Sequence, residues 1–388
     1  MNSIAMKALP IMFLLLSLTG CWDSRELTEF GFIMGISLDQ TEEGSIEINA
    51  QSYSPTETTG GMGGGEKQAY TNIKAINESV FDGVRDINRY LGRLPRWSHM
   101  RVILIGEEFA KEHDIGEILD FFNRNEDVRL TTLVIVTNGK AADYLTIKPF
   151  IEKTVSQQLQ TIIESSTKYA GKTIKASMLD IDLQLKSKAK TALIPYFKIK
   201  EDQQKAPYSS GVAIISKGKM AELLEPSDVQ EVLMLMNKFK SGIIEFPCLD
   251  EGSQDSSKME ALETSFIKTK ITPKFTMKPP TIHILTKIEG TIGELSCTTI
   301  TNVGEEKKLE DHIKKIIEEK IESVIERMQE EKVDLLGIGN KLYQQDPALW
   351  KKWEKDWDDI FADIQFIIDV EVNVRSTGMP IGEKVTGE

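Results

Sequence analysis

Four histidines, His99, His113, His283 and His312, are the residues best suited to hold a metal or move a proton, and none stands at H-x-x-x-H or H-E-x-x-H spacing. They fall in separate stretches of the 388-residue chain, so no metal site is expected. His99, just ahead of the apolar run Arg101 to Gly106, reads as a buried or capping histidine rather than a catalyst. Serine–lysine chemistry would need S-x-x-K with partner motifs. S-x-x-K occurs at Ser165, Ser187, Ser216 and Ser265, a recurrence that signals chance, while S-D-N, K-T-G and G-x-S-x-G are absent. The glycine run Gly60 to Gly65 is followed by Glu66, where a phosphate-binding loop needs Lys and then Ser or Thr. Asp and Glu number 60, too many to pair by sequence alone. No catalytic residue, cofactor-binding residue, cofactor or metal ligand is therefore assigned, and the chain does not read as an enzyme.

Cys21 has a different chemistry. The run Ala8 to Leu18 is apolar but shorter than the about 20 residues of a spanning helix. With Lys7 before it and Thr19 and Gly20 after it, the segment has the order of a signal peptide, residues 1–20. Leu18-Thr19-Gly20-Cys21 resembles a lipobox, in which the cysteine is lipidated and the chain is cut between Gly20 and Cys21. Cys21 would then carry S-diacylglycerol and an N-acyl chain such as palmitate, holding the protein on the outer face of the cell membrane. Two or more acyl chains at ~0.8 kcal/mol per buried CH₂ suffice for stable anchoring where one does not. The competing reading is a leader cut by an ordinary signal peptidase, with Cys21 an incidental thiol. Cys248 and Cys297 read as two buried free thiols, with a single bridge between them as the alternative.

The net charge of -13 becomes -14 once the leader with its lone Lys7 is removed. Such a surface repels nucleic acid and anionic headgroups, so neither a nucleic-acid partner nor a basic-patch membrane mechanism is expected. Two groups stand out as contact candidates. Trp350, Trp353 and Trp357 follow helical steps, with Phe361 behind, and read first as core, second as a face toward a membrane partner. Arg85, Arg89, Arg93 and Arg96 read as a solvated face, or as a site for an acidic partner loop.

The elements that must position these residues form an α+β chain of three units, with mixed sheets packed by helices. An N-terminal α/β domain over 21–200 opens with a hairpin, Thr28 to Leu38 and Ser45 to Tyr53. The apolar residues Ile73, Ile76, Val80, Val84, Ile87 and Leu91 recur at helical steps. Continuous apolar strands at Arg101 to Gly106 and Leu130 to Thr137 flank a helix over Glu107 to Arg124. Helical patterns at Ala141 to Leu145, Ile151 to Tyr169 and Lys175 to Leu185 lead to a strand at Leu193 to Ile199. The polar stretch Lys200 to Ala206 opens a small middle α/β domain, 201–257. It holds a hairpin, Gly211 to Ser216 with Met220 to Leu224, and a helix N-capped by Ser227. The C-terminal α+β domain, 258–388, has long antiparallel strands at Ala261 to Thr276 and Thr281 to Leu295. A long amphipathic helix follows, with Leu309, Ile313, Ile316, Ile317, Ile321, Val324, Ile325 and Met328 on one face, and an alternating strand Ile364 to Arg375 closes the unit.

Four landmarks occur in a recognisable order. They are Gly20-Cys21-Trp22-Asp23; the block Leu94 to Gly106 with Ser98 and His99; Leu119 to Leu145; and Asp334 to Gly378. The last runs Asp334-Leu335-Leu336-Gly337-Ile338-Gly339, then Pro347, Trp350, Trp357 and Phe361. In these the chain resembles the Ger(x)C family of spore germination lipoproteins over nearly its whole mature length. It departs at Ile338, where the family pattern has an aromatic residue, and in the glycine-rich loop near Gly63. The resemblance implies a three-domain α+β fold and a noncatalytic lipoprotein, the C subunit of a nutrient germinant receptor. Such a subunit works with two integral membrane subunits in the spore inner membrane, in receptor assembly or in the response to small nutrients. The alternative is a solute-binding lipoprotein of an importer, which three unequal units disfavour against two lobes around a cleft.

Overall fold

In a computed structural model of the chain, the described residues are 26–53, 69–202, 205–249, 258–277, 279–300 and 302–376. The leader, Gly20, Cys21 and the run Gly60 to Gly65 lie outside them. Strand β1 (Phe30–Gln40) pairs antiparallel with β2 (Ile46–Tyr53), Leu38 opposite Ile48, and β3 (Tyr70–Asn77) adds to β2. The β3 residues depart from the helix expected to begin at Ile73. Ile73 and Ala75 are buried while Lys74 and Ile76 face water, a period of two in which the Ile73–Ile76 spacing only mimics a helical step. Helix α1 (Val80–Leu91) starts where Ser79 Oγ accepts the Asp82 N–H, and it stops at Gly92, φ +63°.

Short β4 (Leu94–Arg96) and then β5 (Val102–Gly106) run parallel to β1, and β6 (Leu133–Thr137) and β7 (Thr191–Lys200) continue the parallel set. The helix expected over Glu107 to Arg124 is two, α2 (Glu107–Glu112) and α3 (Ile115–Asn123). Asp114 separates them, its carboxylate accepting the Gly116 and Glu117 N–H groups. After β6 come α4 (Ala141–Leu145), α5 (Val155–Tyr169) and α6 (Met178–Leu185). Strand residues alternate between two cores: Ile103, Ile105, Val134 and Val136 face α1, α2, α3 and α6, and Val102, Leu104, Leu133 and Ile135 face α4 and α5. Both faces are covered, which is why β5 and β6 are continuously apolar.

The hairpin β8 (Ala206–Ser216) and β9 (Lys219–Leu224) extends this sheet, because β8 pairs antiparallel with β7 across the polar stretch at Lys200 to Ala206. The strand order is β3-β2-β1-β5-β6-β7-β8-β9, with β4 beside β1. Helix α7 (Pro226–Leu235) places Pro226 at its first position, so Glu225 rather than Ser227 is the N-cap.

A second sheet, β10 (Ile243–Pro247), β11 (Met259–Lys274), β12 (Thr281–Glu294) and β13 (Gln365–Ser376), is antiparallel except for the parallel β12–β13 pair. Helix α8 (Val303–Glu330) lies on it and buries the expected face, save Ile316 at the margin. Short helices α9 (Ile338–Gln345), α10 (Pro347–Trp353) and α11 (Trp357–Ala362) follow. The core of this part is contiguous with Leu193, Val212 and Ile214 of the first sheet and with α7.

Cys248 and Cys297 form a disulfide and are half-buried, which corrects the reading of two buried free thiols. The cause is register. Pro247 stands opposite Met259, and the neighbouring Glu260 carboxylate gathers the N–H groups of Ser296, Cys297 and Thr298, drawing the loop after β12 onto the end of β10.

Candidate functional site

The segment from Asp334 to Phe361 forms a joint between the first sheet and the C-terminal part. Asp334 is fully buried and accepts hydrogen bonds from Ile338 N at 2.8 Å and Gly339 N at 2.7 Å. Burial raises its pKa, and these backbone N–H groups oppose that. Gly337 sits at φ +65°, and at Gly339 a Cβ would come within 2.9 Å of the Trp350 ring and 3.1 Å of Trp357. The missing side chain lets the two indoles pack with ring centres 5.2 Å apart. Trp350 and Trp357 are buried and Trp353 is half-buried against the same core, so the stripe is core and the first two rings have no free face for a partner. Ile338, at the position of the expected aromatic residue, is fully buried too.

Polar bonds tie this segment to the start of β7. Thr191 Oγ1 donates to Asp334 O at 2.9 Å, and Asn340 Oδ1 accepts from Lys188 N at 2.6 Å and Ala189 N at 3.3 Å. A cleft of about 390 Å³ opens over the joint, between Gln184 and Ser187 on one wall and Asn237, Thr269, Asn340 and Lys341 on the other. The spacing of the sequence carried no sign of the roles of Asn340 and Thr191.

The basic run divides between two elements. Arg85 lies over the Phe81 ring at 4.1 Å and Arg89 pairs with Asp86 at 3.1 Å, both on the outer face of α1. Arg96, on β4, pairs with Asp127 and covers the Phe30 ring. Arg93 is exposed between them. His99 is exposed with its ring edge-on to Phe32, 5.0 Å between centres, so the expected buried or capping histidine is instead a surface one. Partial desolvation, then the charges of Arg129, Arg101 and Arg96, hold its pKa below the ordinary value. The short 3-10 turn Trp97–His99 buries its first residue, Trp97, in the core and leaves His99 at its far end exposed.

The carboxyl ends of the parallel strands hold buried Asp39. Its two oxygens accept Ala141 N at 2.7 Å and Ala142 N at 2.8 Å, and Gly106 leaves room for it. Burial pushes its pKa up to about 6, against those backbone bonds. Both oxygens are committed to the start of α4, so the group positions a helix rather than a reacting atom. The sulfurs of Cys248 and Cys297 and a Glu260 oxygen lie within 4.8 Å of one another, a grouping with the elements of a metal site. The sulfurs are bonded to each other, and Glu260 is taken up by three N–H groups and the Thr298 hydroxyl, so this donor set does not fit a metal. Among the described residues no helix is long and apolar enough to cross a membrane.

The two families that match the chain divide it between them. One is described as a spore germination protein N-terminal domain, over residues 23–199, and the other as spore germination B3/GerAC like, C-terminal, over residues 210–378. Among curated proteins, Spore germination protein KC of Bacillus subtilis is 24% identical, with 96% of each chain covered. Spore germination protein B3 of the same organism is 24% identical over 96% of this chain and 98% of its own. The crystal structure of the GerBC protein superposes with a TM-score of 0.58 at 20% identity, covering 91% of this chain and all of that one, and so shares the fold. Fold and sequence together define a spore germination protein with the α+β architecture expected from the sequence. The chain belongs to the Ger(x)C family.

Proposed function

We propose that this protein is the lipid-anchored C subunit of a nutrient germinant receptor, on the outer face of the spore inner membrane beside two integral membrane subunits. The observation that carries the reading is end-to-end correspondence with spore germination proteins KC and B3, joined to the Leu18-Thr19-Gly20-Cys21 run at the head of the mature chain. The role is noncatalytic. The buried acids Asp39 and Asp334 spend both oxygens on backbone N–H groups, and Glu260 spends its own on backbone N–H groups and the Thr298 hydroxyl, which supports a scaffold in place of a reaction centre. Arg85 and Arg89, exposed on α1, are the contact residues we assign to an acidic loop of a partner.

Replacing Cys21 by Ala tests the anchor. The variant is expected to lose palmitate labelling, leave the membrane fraction and weaken the response to germinants. Full germination from a soluble, unlipidated chain would contradict the proposal.

A further inference from the structure

The amino ends of the parallel strands form one end of the first sheet, and several large apolar side chains are exposed there. The chain enters β1 there through Leu27, which is 73% exposed. The C-terminal end of α1 stands beside that entry, since a Cβ on Gly31 would touch Leu91 and Phe30 is paired with Leu94. Tyr90 is 62% exposed and Leu94 43%. The loop leading into β6 adds exposed Arg129 and Leu130, and it is fixed at this level because Leu133 N donates to Arg101 O while Arg101 N donates to Met34 O. Arg93 and Arg129 have no ion-pair partner among the described residues, whereas Arg89 and Arg96 hold Asp86 and Asp127. Glu29 and Glu126 share this end, while buried Asp39 and half-buried Glu107 lie at the opposite one.

We infer that this end of the sheet, through Leu27, Tyr90, Leu94 and Leu130 with Arg93 and Arg129, rests on the lipid surface to which the chain is tethered. The inference depends on the lipid-anchor reading of Cys21. Leu27 stands six positions after Cys21, a reach of at most about 20 Å, so an anchored protein holds this end near the headgroups. Aliphatic and tyrosine side chains interleaved with unpaired arginines suit the membrane–water interface, where the apolar part sinks and the guanidinium meets phosphate. The charge of -13 belongs to the whole chain and is screened beyond about 8 Å at physiological salt, so it does not govern this end. Each arginine facing an anionic leaflet is expected to raise the time spent in contact about fivefold.

The test uses the full-length lipidated protein in vesicles of phosphatidylcholine, with and without phosphatidylglycerol, carrying headgroup nitroxide. A fluorophore is placed at Tyr90→Cys or Leu130→Cys, with Lys140→Cys at the far end of the strands as reference; the native disulfide leaves no competing thiol among the described residues. Quenching is expected at positions 90 and 130 and not at 140, stronger with phosphatidylglycerol. The R93E/R129E pair should lower it and R93K/R129K should largely retain it. Flotation with vesicles in high salt reads the anchor separately. Flotation with equal quenching at all three positions, or with none, overturns the inference and leaves the anchor standing, as would happen if this end meets a partner subunit instead. Loss of flotation overturns both.

Discussion

The carboxamide oxygen of Asn340 accepts a hydrogen bond from Lys188 N at 2.6 Å, joining residues 152 apart in sequence. With the Thr191 bond to Asp334 O, it links the turn before β7 to the helices that pack on the second sheet.

Asn340→Ala removes the acceptor and strands the Lys188 and Ala189 N–H groups at a half-buried position. The expected loss is about 1–3 kcal/mol in denaturant unfolding. Asn340→Asp keeps an acceptor and should lose less. Equal stability of all three forms would show that the joint does not depend on this contact.

Asp39 gives a pH dependence of unusual sign. Its folded pKa of about 6 exceeds the unfolded value near 3.8, so the folded state binds the proton more tightly. Its stabilising contribution is therefore full below about pH 4 and lost as pH rises through about 6. Asp39→Asn does not titrate. The stability of wild type minus that of D39N should fall by about 3 kcal/mol between those limits, at about 1.4 kcal/mol per pKa unit. A difference that stays flat with pH would show the carboxyl to be unperturbed.

The free edge of β13 is closed by side chains of α8. Glu318 Oε1 accepts Val370 N and Glu310 Oε1 accepts Val374 N, each at 3.0 Å. These carboxylates cover N–H groups that would otherwise template another strand. The E310A/E318A pair is expected to form dimers or larger species in light scattering at concentrations where the wild type does not. A monodisperse double variant would mean that the edge is protected by something else.

Much of this architecture is legible in the sequence because burial leaves a local trace. Val102 to Gly106 and Leu133 to Val136 are apolar throughout, as strands covered on both faces must be, and the face from Leu309 to Met328 keeps a helical period over about five turns. The β3 segment misled because the Ile73–Ile76 spacing is a helical step that in the strand puts the two residues on opposite faces, and only pairing with β2 reveals the strand. The tryptophan stripe identifies a packed surface but not its depth, which Gly339 and the α9–α10 turn set. Asp39 and its partner Ala141 are 102 residues apart, and the Cys248–Cys297 bond depends on β10–β11 register. Neither has a local signature.

The disulfide closes a loop of 49 residues between β10 and the segment ahead of α8. Removing such a constraint from the unfolded chain is expected to lower stability by about 4 kcal/mol. Reduction, or the C248S/C297S pair, should therefore shift thermal unfolding downward, with the oxidised form restored on reoxidation. Identical unfolding with and without reductant would show that Glu260 alone holds the loop.

The proposed place of this chain, as a receptor subunit held at the spore inner membrane, has a direct test. The most direct measurement is affinity purification of the tagged full-length protein from detergent-solubilised spore inner membrane, with co-purifying chains identified by mass spectrometry. Recovery of two polytopic membrane subunits is the expected result. Recovery of an importer permease and ATPase, or of no membrane partner, would contradict it.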